Sequence, residues 1–126
     1  MKKLLLSIVF VLFSIVLFAQ PSFMRGHTLY IGTVANSGKV DWDEGSESNV
    51  LIEVDGSHIV IYSATQQDLH CIKLISSDDN QSKWRAVDQD GSICFLYVGY
   101  DKIADSTYLM VEYSDVWYCF YTSSEK

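Results

Sequence analysis

The sequence predicts an all-β fold, a small antiparallel meander that forms either an up-and-down β-barrel or a two-sheet β-sandwich. Four apolar and aromatic runs, separated by short turn sequences, follow one another between Ser82 and Thr122. No segment after residue 20 has helical periodicity over more than about two turns. The single proline, Pro21, lies outside every predicted strand. We favour the barrel, because closing a sheet removes edges that the apolar C-terminal half would otherwise expose.

The N-terminus has the pattern of a secretory signal peptide. Lys2 and Lys3 precede an apolar run from Leu4 to Phe18, and the small residue Ala19 follows it. This run is shorter than the roughly 20 residues of a membrane-spanning helix, which makes a retained anchor the less favoured alternative. We therefore expect residues 1–19 to be removed, residues 20–126 to form one all-β domain, and the protein to be periplasmic or secreted from a bacterium.

Alternation of apolar and polar residues predicts the strands of the N-terminal half. Residues 21–26 are predicted to form an irregular leader, and the acidic stretch from residue 44 to 48 is predicted to form a solvated loop. An Asp-Gly pair between β-branched runs is typical of a two-residue hairpin turn, here Asp55-Gly56. The predicted strands are His27–Val34, Lys39–Asp43, Asn49–Val54 and Ser57–Ser63.

The C-terminal half continues the pattern with five more strands. In the second of them, alternation predicts that Trp84 points inward and Arg85 outward. Further hairpin tips are expected at Gln89-Asp90-Gly91 and at Ser114-Asp115. The predicted strands are Leu69–Ser76, Lys83–Asp88, Ile93–Tyr100, Thr107–Tyr113 and Val116–Thr122.

The charge of the chain excludes nucleic acid as an expected partner. The formal net charge is −7, and loss of Lys2 and Lys3 with the signal peptide makes the mature chain more acidic. Electrostatic binding to phosphates requires clustered Lys and Arg, and no two basic residues are adjacent after Lys3.

Aromatic residues concentrate in the C-terminal strands, with nine of them between Phe95 and Tyr121. If they line a cavity, they predict a site for a small apolar or sugar-like molecule. The candidate ligand-binding residues are Tyr97, Tyr108, Tyr113 and Trp117. In the alternative, the same side chains fill the core, since aromatic residues are common in strands.

The acidic loop is the second candidate site. Asp41, Asp43, Glu44 and Glu47 form a candidate interaction loop for a protein partner. The order of residues does not match a calcium-binding EF-hand loop, where a glycine would have to stand one position after Gly45. The sequence therefore predicts no metal site.

Motifs of catalysis and of cofactor binding are lacking in the sequence. The three histidines have no GxSxG or local Cys/His signature beside them, and we expect no catalytic residue and no cofactor. Cys71, Cys94 and Cys119 lie inside apolar runs, which predicts free thiols and no disulfide.

The predicted architecture resembles that of small barrels of the lipocalin kind, a resemblance of fold that implies no particular site. We expect a non-catalytic binding or interaction module with an unspecified small molecule or protein as partner. A small secreted hydrolase, for example one acting on glycosides, is one alternative. A structural or envelope-associated protein that pairs its edge strands with a partner is the other. The sequence does not fix the oligomeric state.

Overall fold

The computed structural model describes residues 22–124, with no description of the Ser124 side chain, and consists of nine β-strands. The predicted signal peptide at residues 1–19 lies outside the described residues. No helix in the described part of the chain is long and apolar enough to cross a membrane. The strands are β1 (Ser22–Val34), β2 (Val40–Trp42), β3 (Ser46–Asp55), β4 (His58–Tyr62), β5 (Gln67–Ser77), β6 (Gln81–Val87), β7 (Ile93–Asp101), β8 (Ser106–Glu112) and β9 (Val116–Ser124).

The strands form a closed antiparallel barrel in which each strand from β3 to β9 pairs with the next. Closure comes from β1, which pairs with β9 along one side and with β3 and then β2 along the other. Eight strands surround the barrel, because β2 and β3 lie end to end against the same side of β1. The barrel prediction is confirmed, and the two-sheet sandwich is wrong.

Short hairpins connect the strands from β3 to β9, as the turn signals predicted. One tip differs by a residue, because the two turn residues after Asp55 are Gly56 and Ser57, with a positive φ of 62° at Gly56. Positive φ at the first central position is characteristic of the type II′ turn rather than the expected type I′ turn.

The first strand is longer than the sequence predicted. We expected an irregular leader from residue 21 to 26, but β1 begins at Ser22 and pairs through Met24 and Arg25 with both β3 and β9. Pairing on both sides satisfies the backbone of this segment, which shows little alternation of its own.

Aliphatic side chains fill the barrel interior. Leu96, Val111, Ile61 and Leu69 are fully buried, as expected for an eight-stranded barrel, whose interior is just wide enough for packed side chains. Trp84 packs against this core and Arg85 is exposed, as predicted. The cluster of buried residues comprises Ile52, Ile59, Ile61, Leu69, Ala86, Cys94, Leu96, Leu109, Val111 and Phe120.

Candidate functional site

The strand register places most of the C-terminal aromatic residues on the outer face of the barrel. Leu96 pairs with Val111, and both are fully buried, so their row of cross-strand neighbours faces inward. Side chains alternate along a strand, and the rows on either side therefore face outward. The first outward row contains Tyr97, Met110, Cys119 and Tyr30, and the second contains Phe95, Glu112, Trp117, Gly32 and Trp42.

Aromatic rings contact one another across these outward rows. Tyr97 stacks on Trp117 with ring centroids 5.7 Å apart. Trp117 also meets Trp42 edge to face at 6.2 Å, and Tyr121 meets Tyr30 in the same manner at 5.6 Å. Each such pair adds roughly 0.5–1.5 kcal/mol beyond the burial of its surface. The outer face of β7, β8, β9 and β1 therefore carries an aromatic layer made of two groups of rings in contact.

A groove of about 860 Å³ opens on this layer, and we call it the aromatic groove. It runs beside β8, β9 and β1, with β2 at one margin and the β7–β8 loop at another. Trp42 and Tyr100 each expose 41% of their surface, while Ile103 at the tip of the loop is 99% exposed. Its lining consists of Tyr30, Val40, Trp42, Asn80, Tyr100, Asp101, Lys102, Ile103, Tyr108, Met110, Trp117, Cys119 and Tyr121.

Three of the four tyrosine rings that line the aromatic groove are held in place through their hydroxyl groups. Tyr121 donates to Oδ2 of Asp101 at 2.7 Å, and Tyr108 donates to Oε1 of Gln81 at 2.5 Å. Tyr100 donates to Oδ1 of Asp105. The hydrogen bond to Asp101, together with burial, raises the pKa of Tyr121, whereas burial is the main cause that raises the pKa of Tyr108. Both phenols therefore stay neutral hydrogen-bond donors at physiological pH.

Asp101 fixes the loop at the margin of the aromatic groove. Its Oδ1 accepts the backbone N–H groups of Ile103 at 2.9 Å and Ala104 at 3.2 Å. The hydrogen bond from Tyr121, followed by these two, lowers the pKa of the carboxyl group. Asp101 is thus a carboxylate that positions both a ring and a loop.

Three of the four predicted ligand-binding residues lie on the outer aromatic layer, and one does not. Tyr108 and Trp117 line the aromatic groove, and Tyr97 stacks on Trp117. Tyr113 packs instead against the core, and its hydroxyl donates to Oδ2 of Asp88 at 2.9 Å. Tyr113 therefore lies apart from the other three residues, because it shares the inward face of the sheet with Val111.

The four predicted acidic residues are exposed, but the predicted loop is shorter than expected, because β3 begins at Ser46 and Asp41 lies in β2. One of the four, Asp43, has a structural role. Asp43 accepts at Oδ1 the backbone N–H groups of Ile31 and Gly45, each at 3.0 Å. It thereby bridges the break between β2 and β3, where β1 lacks a regular ladder partner. Asp41, Glu44 and Glu47 are exposed around it. No group of three or more His, Cys, Asp or Glu in the described residues is arranged to hold a metal ion.

A second polar cluster lies on the outer face of β4 and β5. Nε2 of His58 is 3.0 Å from Oδ1 of Asp68, and the His58 ring stacks on His70 with centroids 4.3 Å apart. These contacts satisfy the imidazole of His58 on the surface.

All three cysteines are free thiols in the structure. Cys94 faces inward beside Leu96, while Cys119 faces outward in the wall of the aromatic groove, so the two lie on opposite faces of the sheet. Burial raises the pKa of Cys71 and Cys94 to about 11 and of Cys119 to about 12. Because the thiolate is the reactive form, these thiols are unreactive at neutral pH.

We predict that a thiol reagent modifies three cysteines per chain under denaturing, non-reducing conditions. Before denaturation the reaction should be slow at neutral pH, because the thiols are shielded and neutral. A count of one thiol after denaturation would show that a disulfide had formed and would contradict the three free thiols of the structure.

The residues that sequence reasoning missed lie mostly outside the C-terminal strands. Tyr30, Trp42 and Ile103 reach the aromatic groove only through the pairing of β1 with β9 and β2 and through the folding of the β7–β8 loop. Trp42 approaches closely because Gly32 has no side chain, and a Cβ there would lie 3.1 Å from the Trp42 ring. Gly45 likewise allows the Tyr30 ring to approach closely, because it has no side chain.

Fold and site together define a closed eight-stranded β-barrel that carries an aromatic groove on its outer face. Comparison with known proteins found no matching family model, no similar curated protein and no similar solved structure. The function is therefore argued from the geometry of the groove.

Proposed function

We propose that this chain is an exported, non-catalytic binding module that holds a neutral carbohydrate chain in the aromatic groove. The observation that carries the proposal is an open groove in which three tyrosine rings are fixed by hydrogen bonds before any ligand arrives. The apolar faces of sugar rings pack on aromatic rings, and ligand sites combine such apolar surface with a few oriented polar groups. Export is supported by the signal-peptide pattern of residues 1–19.

The polar groups at the margin of the aromatic groove suit hydroxyl-bearing ligands. Asn80, Asp101 and Lys102 lie along the same margin and supply amide, carboxylate and ammonium groups. Rings that are already oriented lose little conformational entropy when a ligand binds, which favours affinity.

The carboxyl chemistry of the aromatic groove supports binding rather than hydrolysis. Glycoside hydrolases of the common classes use two carboxyl groups that flank the scissile bond, one of them with a raised pKa. Among the described residues that line the groove, Asp101 is the one carboxylate, and its pKa is lowered. Both of its oxygens are already engaged in hydrogen bonds.

We predict that the protein binds soluble neutral polysaccharides and that Trp42→Ala and Tyr100→Ala each weaken this binding about tenfold, equivalent to about 1.4 kcal/mol. Both side chains offer exposed ring faces in the aromatic groove, so truncation removes stacking surface. Affinity electrophoresis in gels containing β-glucan, xylan or mannan, followed by calorimetry with the best binder, measures the effect.

The matched control for these variants is Tyr62→Ala. Tyr62 is 42% exposed on β4, outside the aromatic groove, and its hydroxyl also donates to a carboxylate, Oε1 of Glu53 at 2.6 Å. Its truncation should leave polysaccharide binding unchanged. Equal losses in all three variants, or a wild-type protein that binds none of the polysaccharides, would count against the proposal.

A further inference from the structure

The short strand β4 leaves parts of both neighbouring strands unpaired on the side that faces it. β4 pairs with residues 51–55 of β3 and with residues 67–70 of β5. Within residues 22–124, residues 46–50 of β3 therefore have a ladder partner only in β1, and residues 72–77 of β5 have one only in β6. The barrel wall thus contains two open strand edges.

These two edges differ sharply in composition. The β3 edge, residues 46–50 (SESNV), is polar and acidic, which is how proteins commonly protect an exposed edge from further pairing. The β5 edge, residues 72–77 (IKLISS), exposes Ile72 by 60%, Leu74 by 45% and Ile75 by 45%. Of the two, the β5 edge has the composition of a strand that pairs with a further strand.

Two bulges explain why the isoleucines of the β5 edge are exposed. The register with β6 shifts between Cys71 and Lys73 and again between Leu74 and Ser76, so Ile72 and Ile75 are the extra residues. The extra residue of a bulge stays outside the regular ladder, so its side chain departs from the inward and outward alternation of the strand.

We propose that the β5 edge is a self-association surface, on which a second copy of this chain adds its own β5 in antiparallel orientation. A two-fold axis between Ile75 and Ser76 then sets Lys73 of each copy opposite Asp78 of the other. Leu74 and Ile75 lie at the centre of the joined strands. Such an interface is isologous, with the same residues contributed by both copies.

Charge selects a second copy over other extended segments. Lys73 carries the one positive charge of residues 72–79, and Asp78 and Asp79 carry the negative charges at the other end of the same stretch. An antiparallel copy of this stretch matches both ends at once. Hydrogen bonds from the backbone N–H groups of Asn80 and Gln81 lower the pKa of Asp78, which keeps its carboxyl group charged near neutral pH.

Sedimentation equilibrium of the purified protein tests this interface. We expect dimers with a Kd below about 1 mM. We expect Lys73→Glu and Ile75→Thr each to raise the Kd at least about tenfold, a change of about 1.4 kcal/mol. The matched controls are Lys102→Glu, with the same change of charge, and Ile103→Thr at another exposed isoleucine, and both should dimerise as the wild type does.

Amide hydrogen exchange at low and high protein concentration locates the contact. Exchange of residues 72–77 should slow at high concentration, whereas exchange of residues 46–50 should not change. A wild-type protein that stays monomeric up to about 1 mM overturns the proposal. So does a dimer that Lys73→Glu and Ile75→Thr leave intact, or one that protects other amides instead.

Discussion

Leu96→Ala should lower the free energy of unfolding by about 2–5 kcal/mol. Leu96 is fully buried in the middle of β7, where it packs in the same core cluster as Val111, Ile61 and Leu69. Truncation removes buried apolar surface and leaves a cavity that a closed barrel cannot easily collapse, so both contributions act in the same direction. Urea denaturation followed by circular dichroism measures the loss.

Leu74→Ala is the matched control for this prediction. Leu74 is 45% exposed on β5, so the same substitution should cost well under half as much when it is measured at low protein concentration. A loss below about 1 kcal/mol for Leu96→Ala would show that the interior is loosely filled. Such a result would reopen the possibility of a ligand site inside the barrel.

Gly45→Ala should have the second largest effect, lowering the free energy of unfolding by about 2–4 kcal/mol. Gly45 has a φ of 83°, where a side chain is strained by roughly 1–2 kcal/mol. A Cβ at this position would also lie 2.5 Å from Cε1 of Tyr30, so the ring must move. Because Tyr30 lines the aromatic groove, carbohydrate binding should weaken with stability.

Gly91→Ala is the matched control, because it separates the backbone strain at positive φ from the clash with Tyr30. Gly91 has the same φ of 83°, but a Cβ there would meet no atom within 4 Å. It should therefore show the strain alone, about 1–2 kcal/mol, and leave binding unchanged. Equal losses of stability in the two variants, measured by denaturation, would show that Tyr30 does not rest on Gly45.

The sequence predicted the barrel well because its signals are local. Alternation of apolar residues and short turn sequences mark individual strands, and a chain of short hairpins leaves few arrangements other than a meander. The same alternation contained a signal about the site that we did not use. In the predicted strand Thr107–Tyr113, Tyr108 shares a face with Met110, while Tyr113 shares the other face with Val111, which separates the two tyrosines.

Features that depend on pairing between strands far apart in the sequence could not be predicted from local patterns. Trp42 joins the aromatic groove because β2 pairs with β1 at Gly32, a contact that nothing in the local sequence around Trp42 indicates. The exposure of Ile72 and Ile75 depends on two bulges, which break the alternation that we assumed for β5. Strand alternation is readable from sequence, whereas register shifts depend on the partner strand.

The indole N–H signals of the three tryptophans test the central claim, that the ligand site lies on the outside of a filled barrel. Trp42 and Trp117 line the aromatic groove, whereas Trp84 packs against the core and donates from Nε1 to Oγ of Ser82 at 3.2 Å. In ¹H–¹⁵N spectra recorded during titration with an oligosaccharide of the best-bound polysaccharide, the signals of Trp42 and Trp117 should shift while that of Trp84 stays in place. A shift of the Trp84 signal alone, with both groove indoles unmoved, would contradict the account.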